Sequence, residues 1–145
     1  MKIRQILQSK KVDTIYSVTS NTTVYDALVL MSERNIGAVL VIDDGHLSGI
    51  FSERDYARKI VLKGLHSDTT TVQEVMTSKL ITIGIDQKLE EAMQIMSDKH
   101  IRHLPVFDGE TLIGIISIND VVNVIINEQK TRIASLENYI SGGYA

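Results

Sequence analysis

The sequence contains two copies of one pattern, separated by 65 positions. Residues 22–60 align without a gap on residues 87–125. Identical residues occupy the following aligned positions: Ala27/Ala92, Met31/Met96, Ser32/Ser97, Ile36/Ile101, Val41/Val106, Asp43/Asp108, Leu47/Leu112, Gly49/Gly114, Ile50/Ile115, Ser52/Ser117, Asp55/Asp120 and Ile60/Ile125. Two copies of about 60 residues indicate a duplicated unit rather than a solenoid. The fold therefore follows from what one copy encodes.

Each copy begins with the apolar spacing of an amphipathic helix. Apolar residues at i, i+3, i+4 and i+7 predict a helix of about three turns in each copy. These residues are Val24, Ala27, Leu28 and Met31 in the first copy, and Leu89, Ala92, Met93 and Met96 in the second. Thr23 and Asp86 lie just before the two helices and are candidate N-caps.

Two β-rich runs follow each of these helices. We predict strands at Ala38–Asp43 and His46–Ser52 around Asp44-Gly45, and at His103–Phe107 and Thr111–Ser117 around Asp108-Gly109. An Asx-Gly pair between β-rich runs is typical of a hairpin. Short strands are predicted before the first helices, at Ile15–Val18 and Leu80–Ile83, and second helices from Glu53 to about Lys63 and from Ile118 onward. The sequence therefore predicts an α/β (α+β) class protein with a tandem β-α-β-β-α repeat.

The repeat also divides the chain. We predict an N-terminal segment at 1–14, a first repeat at 15–63, a connector at 64–76 with one short helical turn, a second repeat at 77–129 and a C-terminal helix extension at 130–145. The last helix carries Ile126, Ile133, Leu136 and Ile140 at spacings of three, four and seven. Such an apolar stripe needs a cover, which is either its own domain or a second subunit.

The composition excludes several classes of function. A net charge of −3 argues against binding to nucleic acid or to an anionic membrane, because each requires a basic patch. The absence of cysteine excludes disulfides, thiolate metal sites and cysteine nucleophiles. The apolar runs are far shorter than the roughly 18–20 residues of a membrane span, and the first residues lack the apolar region of a signal peptide. We therefore expect a cytoplasmic protein.

A serine and an aspartate recur where the second strand of each hairpin meets the next helix. Ser52 is followed three residues later by Asp55, and Ser117 by Asp120. A carboxylate in this position can accept two hydroxyl protons from a ribose diol. The same Ser-x-x-Asp pattern also describes a capping box, in which both side chains only satisfy the start of the helix. The residues alone leave both interpretations open.

The combination of these features resembles a known family. Two β-α-β-β-α copies, each closing with Gly-x-x-Ser-x-x-Asp, together with the Ile101–Val106 run Ile-Arg-His-Leu-Pro-Val, are similar to a pair of CBS (cystathionine β-synthase) domains, the Bateman module. The Gly49–Lys59 segment resembles in particular the small stand-alone CBS-pair proteins of bacteria. The resemblance implies two repeats packed about a pseudo-twofold axis, a homodimer, and adenosine nucleotides such as AMP, ATP or NAD bound between the repeats. It implies a regulatory function in sensing energy or redox state, in which the ligand alters a dimer surface read by a partner protein that the sequence does not identify.

The resemblance also assigns roles to individual residues. It places ribose and hydroxyl contacts at Ser52, Asp55, Ser117 and Asp120, and phosphate contacts at Arg54, Arg58, Lys59, Arg102 and His103. The second copy has Asn119, Asn123 and Val124 where the first has Arg54, Arg58 and Lys59. We therefore expect the two binding sites to be unequal.

Two other classes of function compete with this interpretation. A metal site at His100-x-x-His103 lacks a third ligand at a suitable spacing, so no metal and no catalytic cofactor are expected. The residues present in only one copy form no acid-base constellation, and what repeats is a binding geometry, so we expect no enzyme. A ligand-independent dimerisation or scaffold module remains the alternative, with Ser-x-x-Asp serving only as a helix cap.

Overall fold

The computed structural model describes residues 1–10 and 15–141. In chain order the elements are α1 (Ile3–Ser9), β1 (Ser17–Val18), α2 (Val24–Arg34), β2 (Ala38–Asp43), β3 (His46–Ser52), α3 (Glu53–Asp55) continued by a π-helix (Tyr56–Val61), α4 (Val72–Val75), β4 (Ile83–Gly84), α5 (Leu89–Lys99), β5 (His103–Asp108), β6 (Thr111–Ser117) and α6 (Ile118–Ile140). Parts of the predicted N-terminal segment and C-terminal extension, residues 11–14 and 142–145, lie outside the described residues.

The described chain forms two compact units. The first-repeat unit contains residues 15–81, and the second-repeat unit contains residues 1–10 together with 82–141. Each unit holds one three-stranded sheet, in the order β1-β2-β3 or β4-β5-β6. The first strand of each sheet is parallel to the second, and the second is antiparallel to the third. The predicted mixed α/β fold with a duplicated β-α-β-β-α order is confirmed.

Both hairpins close through two-residue turns. Asp44 and Gly45 both have positive φ, of 50° and 78°, as a type I′ turn requires. In the second hairpin only the first turn residue, Gly109, has positive φ, of 61°, as expected for a type II′ turn. The second turn therefore consists of Gly109 and Glu110, one residue later than predicted, because Asp108 still pairs in β5.

The two predicted amphipathic helices form, but only one of the two predicted N-caps does. The Thr23 hydroxyl accepts a hydrogen bond from the backbone of Asp26 at the start of α2. The N-cap of α5 is Lys88, whose side chain makes no capping bond. Asp86 is not a cap, because its carboxylate instead pairs with Arg4 at 3.1 Å.

Three predicted elements differ in length or type. β1 and β4 contain two residues each, and β4 lies at Ile83–Gly84 rather than Leu80–Ile83, since only these residues pair with β5. The helix after Ser52 ends at Val61 and is α-helical only over Glu53–Asp55. Its remainder is a π-helix, whose wider turns shift the angular positions of the residues it carries.

A short helix after the first repeat completes the first-repeat unit. The backbone amide of Val72 donates to Thr22 at 2.8 Å, and that of Gln73 donates to Ser20 at 3.1 Å. Val72 and Val75 of α4 are buried in the same core as α2, β2 and β3. The connector is therefore part of this unit.

The second-repeat unit is completed by α1, a helix in the segment at 1–14 for which the sequence pattern predicts no element. The backbone amide of Ile3 donates to Gln87 at 2.9 Å, and that of Arg4 donates to Ile85 at 2.9 Å. These acceptors lie 65 positions after Thr22 and Ser20, so α1 occupies in this unit the place that α4 occupies in the other. Helix α1, which precedes the first repeat in the sequence, thus completes the unit formed by the second repeat.

The apolar faces point inward largely as the spacing predicts. In α2 and α5 the buried residues are Val24, Ala27, Met31, Leu89, Ala92 and Met96. Leu28 is only partly buried, and Met93 is 40% exposed. No helix in the described part of the chain is long and apolar enough to cross a membrane.

Candidate functional site

Ser52 and Asp55 form a reciprocal capping box at the start of α3. The Ser52 hydroxyl accepts a hydrogen bond from the Asp55 amide at 3.2 Å, and Asp55 Oδ2 accepts one from the Ser52 amide at 3.0 Å. This arrangement follows from the extended backbone of Ser52 at the end of β3, which turns both side chains toward the same end of the helix.

The other carboxylate oxygen of Asp55 is also bonded. Asp55 Oδ1 accepts a hydrogen bond from the Thr77 hydroxyl at 3.2 Å and lies 3.1 Å from the Lys59 ammonium. Lys59 also donates to the carbonyl of Val75 at 2.9 Å. The Asp55 side chain is only 11% exposed, so this carboxylate is held within a closed polar cluster.

Ser117 and Asp120 repeat the capping box at the start of α6. The Ser117 hydroxyl accepts from the Asp120 amide at 3.2 Å, and Asp120 Oδ2 accepts from the Ser117 amide at 2.8 Å. The same Oδ2 lies 3.0 Å from the ammonium of Lys10, which also donates to the carbonyl of Ile115 at 2.7 Å.

The two repeats thus neutralise equivalent carboxylates with lysines from different places in the sequence. Lys59 is four residues after Asp55, whereas Lys10 precedes Asp120 by 110 residues. Val124 occupies the position that corresponds to Lys59 and carries no charge. The absence of a lysine at position 124 is the one feature of the sequence that points to a different cation at Asp120.

The two carboxylates differ in their capacity to accept further hydrogen bonds. Both oxygens of Asp55 accept hydrogen bonds. No residue among 1–10 and 15–141 donates to Oδ1 of Asp120, whose side chain is 20% exposed. Within the described part of the chain, Asp120 is therefore the carboxylate with an acceptor available to a further hydroxyl.

Arg102 and His103 lie beside Ser117 and Asp120. His103 pairs with Ser117 across β5 and β6, and the Arg102 carbonyl accepts from the amide of Ile118 at 2.8 Å. The pKa of the His103 imidazole is lowered, chiefly because the ring is buried. The nearby Asp120 carboxylate opposes this shift, while the positive charges of Arg102 and Lys10 add to it. The second-repeat unit therefore brings two predicted phosphate contacts to its predicted ribose contacts.

The three cations predicted in the first repeat are placed differently from one another. Arg54 lies in the single α-helical turn, whereas Arg58 and Lys59 lie in the π-helix. Arg54 and Arg58 are exposed, while the Lys59 ammonium is engaged by Asp55 and Val75. The exposed basic edge therefore consists of Arg54 and Arg58.

The described residues contain no group of three or more histidine, aspartate or glutamate side chains arranged to hold a metal ion. His100, the other histidine of the His-x-x-His pattern, ends α5 in a left-handed conformation with φ 54°.

Comparison with known sequences gives one family. The CBS domain family model matches the chain twice, over residues 4–62 and 72–127. The CBS domain-containing protein CBSX3, mitochondrial, of Arabidopsis thaliana is 44% identical over 131 residues, which are 87% of this chain and 64% of that protein. This chain thus spans less than two thirds of that relative. The CBS domain-containing protein YhcV of Bacillus subtilis is 36% identical over 115 residues, covering 79% of this chain and 81% of that protein.

Solved structures give the same result. A protein with CBS domains from Burkholderia ambifaria, named as a candidate signal-transduction protein, is 47% identical with a TM-score of 0.87, covering 89% of this chain and 96% of that one. The CBS domain pair of protein MJ0100, in complex with 5′-methylthioadenosine and S-adenosyl-L-methionine, is 25% identical with a TM-score of 0.75, covering 88% and 98%. A hexameric CBS-CP12 protein from bloom-forming cyanobacteria is 26% identical with a TM-score of 0.74, covering 84% and 69%.

Proposed function

Because this chain belongs to the CBS-domain family, we propose that it is a regulatory module that binds an adenosine-containing nucleotide such as AMP, ATP or NAD. The observation that carries the proposal is the carboxylate of Asp120, which is fixed by its capping box and has one oxygen, Oδ1, to which no described residue donates. The MJ0100 pair, of similar fold, was solved with two adenosine-containing ligands. Adenosine is the chemical part that those two ligands share with AMP, ATP and NAD.

The ribose is bound by the aspartates in this proposal. A carboxylate oxygen accepts a hydroxyl proton, and the vicinal hydroxyls of ribose offer two. Asp120 can accept one without losing an existing bond, whereas Asp55 must first release Thr77 or Lys59. We therefore expect the ribose to bind more tightly at Asp120 than at Asp55. Ser52 and Ser117 hold the two carboxylates in place.

The phosphates are bound by neighbouring side chains that can donate hydrogen bonds. Arg102 and His103 serve a ligand at Asp120, and the exposed Arg54 and Arg58 serve one at Asp55. A guanidinium suits this function because it can donate two parallel hydrogen bonds to a phosphate. Lys59 can bind a phosphate only if its ammonium group leaves the Asp55 carboxylate.

The consequence of binding is regulatory rather than catalytic. A ligand shifts the protein toward one conformation only by binding that conformation better. The altered surface of a self-associated form is then recognised by a partner protein. The proposal also includes self-association of the protein and a cytoplasmic location.

A specific observation also favours a ligand-independent assembly module. Both Ser-x-x-Asp pairs form complete capping boxes with every expected hydrogen bond. A capping function alone would account for the repetition of these residues, without any ligand.

Thermal unfolding separates the two functions. The protein is unfolded alone and with excess AMP, ATP, NAD or S-adenosyl-L-methionine, and the series is repeated on Asp120→Ala and Asp55→Ala. A ligand at 100 times its Kd stabilises the folded state by about 2.7 kcal/mol, a shift of several degrees at this size. We expect Asp120→Ala to remove most of that shift and Asp55→Ala to remove less.

Thr23→Ala is the matched control, because it removes an N-cap from α2 without touching either aspartate. It should lower stability by about 1 kcal/mol and leave the ligand shift intact. If the protein, freed of ligand carried through purification, shows no shift with any of the four compounds, the nucleotide-binding proposal is wrong and the assembly module is favoured.

A further inference from the structure

The outer part of α6 carries apolar side chains that no residue among 1–10 and 15–141 covers. Val124 is the last buried residue of the chain's described part, and the helix continues for four further turns to Ile140. Ile133 and Leu136 are 52% and 55% exposed. We call the exposed large aliphatic residues of this helix the α6 stripe: Val122, Ile126, Ile133, Leu136 and Ile140.

The spacing of the α6 stripe is that of a coiled coil. Val122 and Leu136 fall at heptad position d, and Ile126, Ile133 and Ile140 fall at position a. Gln129 fills the remaining d position. Isoleucine at a with leucine at d, as at Ile133 and Leu136, favours two strands over three or four in a parallel coiled coil. The pattern therefore indicates a single partner helix.

The α6 stripe does not compete with the core for the same helix face. Val121 is buried against its own unit, and Val122 lies about 100° further around the helix. The helix can therefore pack on its own unit and on a partner at once.

The charges flanking the α6 stripe complement a second copy of the same helix. Arg132 lies at position g, and Glu137 lies five residues later at position e. In a parallel pair in register, g of one helix meets e of the next heptad on the other, so two Arg132–Glu137 pairs form. Neither side chain has an ion-pair partner among residues 1–10 and 15–141.

Gln129 decides the direction of the pair. In a parallel pair it faces Gln129 of the second copy, and the two amides can bond to each other. In the antiparallel pair that places Leu136 against Ile133, Gln129 would face Ile140 and lose its polar partner. We propose that residues 122–140 form a parallel, in-register two-stranded coiled coil with the same segment of a second copy of this chain.

Cysteine crosslinking tests both the partner and the direction. The chain contains no cysteine, so a single introduced thiol gives an unambiguous product. Gln129→Cys places a thiol at the seam, where only a parallel, in-register pair brings two copies together. Thr131→Cys is the matched control, because position 131 is exposed on the opposite side of the helix. Under mild oxidation we expect a covalent dimer from Gln129→Cys and little from Thr131→Cys.

A charge at the seam provides the second measurement. Ile133→Glu in the Gln129→Cys background should lower the crosslinked yield about 10-fold, since a carboxylate would be buried without a partner. Ala134→Glu adds the same charge at an exposed neighbour outside the seam and should leave the yield unchanged. Both substitutions change exposed residues, so the fold itself is not at risk.

Two results would overturn the proposal. One is a Gln129→Cys yield no greater than that of Thr131→Cys, which would assign the α6 stripe to a different protein or to an antiparallel pair. The other is an equal yield from the Ile133→Glu and Ala134→Glu proteins.

Discussion

Gly49 and Gly114 occupy equivalent positions but lack room for a side chain to different degrees. A Cβ on Gly49 would lie 2.9 Å from the backbone oxygen of Thr77 and 2.7 Å from the Met76 sulfur. On Gly114 it would lie 3.0 Å from a terminal methyl of Leu7, which can rotate away. We expect Gly49→Ala to lower the free energy of unfolding by about 1–3 kcal/mol and Gly114→Ala by clearly less. Urea denaturation measures both, and equal losses would contradict this account.

His103 makes stability depend on pH. Burial lowers the pKa of its imidazole in the folded state. The unfolded chain therefore binds more protons than the folded one as pH falls below about 6.5, and stability falls with it. Ala38 is the natural counterpart of His103 in the first repeat, so His103→Ala is the matched variant.

Between about pH 7.5 and pH 5.5 the unmodified protein should lose more unfolding free energy than His103→Ala, as measured by urea denaturation at each pH. Stability curves that run parallel over this range would show that His103 does not titrate as proposed.

The repeated residues of the candidate site could be predicted from the sequence, but their partners could not. Ser52, Asp55, Ser117 and Asp120 recur at a fixed offset, which is visible without a structure. Lys10 is not part of the repeat and reaches Asp120 only because α1 packs in the second-repeat unit. A contact between residues so far apart in sequence leaves no local pattern.

At the scale of single elements, the sequence predicts an element correctly when a short local pattern is enough to determine it. The hairpins follow from turn residues between β-rich runs, and α2 and α5 follow from apolar spacing. The π-helix at Tyr56–Val61 could not be predicted, because Tyr56 and Ile60 at i and i+4 fit an α-helix equally well. Asp86 is of a residue type that often caps helices, but its carboxylate pairs with Arg4 and does not cap α5.

The uncapped start of α5 offers a stabilising substitution. Lys88 has the extended backbone of an N-cap, is exposed, and makes no capping bond with its side chain. Its counterpart Thr23 does cap α2. Lys88→Thr should therefore raise the free energy of unfolding by about 0.5–1 kcal/mol in urea denaturation.

Asp86→Ala serves as the comparison. The exposed pair that it forms with Arg4 should contribute less than about 1 kcal/mol. A larger loss from Asp86→Ala, or no gain from Lys88→Thr, would mean that Asp86 supports the helix start after all.

At the scale of the whole molecule, α1 and α4 pack in different units, and this decides which part of the chain a mutation in either helix affects. Ile6 of α1 is fully buried in the second-repeat unit, and Val72 of α4 is fully buried in the first-repeat unit. Ile6→Ala should lower stability by about 2–5 kcal/mol and reduce hydrogen-exchange protection chiefly in residues 82–124. Val72→Ala should reduce protection chiefly in residues 15–61. A loss of protection spread evenly over the chain in both variants would show that the units do not open separately.

The position of α1 has a consequence for the newly made protein. Synthesis proceeds at about 5–20 residues per second, and a finished domain can fold while the rest is still being made. The first-repeat unit has all its described residues once residue 81 has been added. The apolar side chains of Ile3 and Ile6 have no matching strands and helix until the second repeat emerges. On the ribosome, α1 is therefore made before the first repeat but can pack only after the second repeat has been made, and its apolar face stays exposed in that interval.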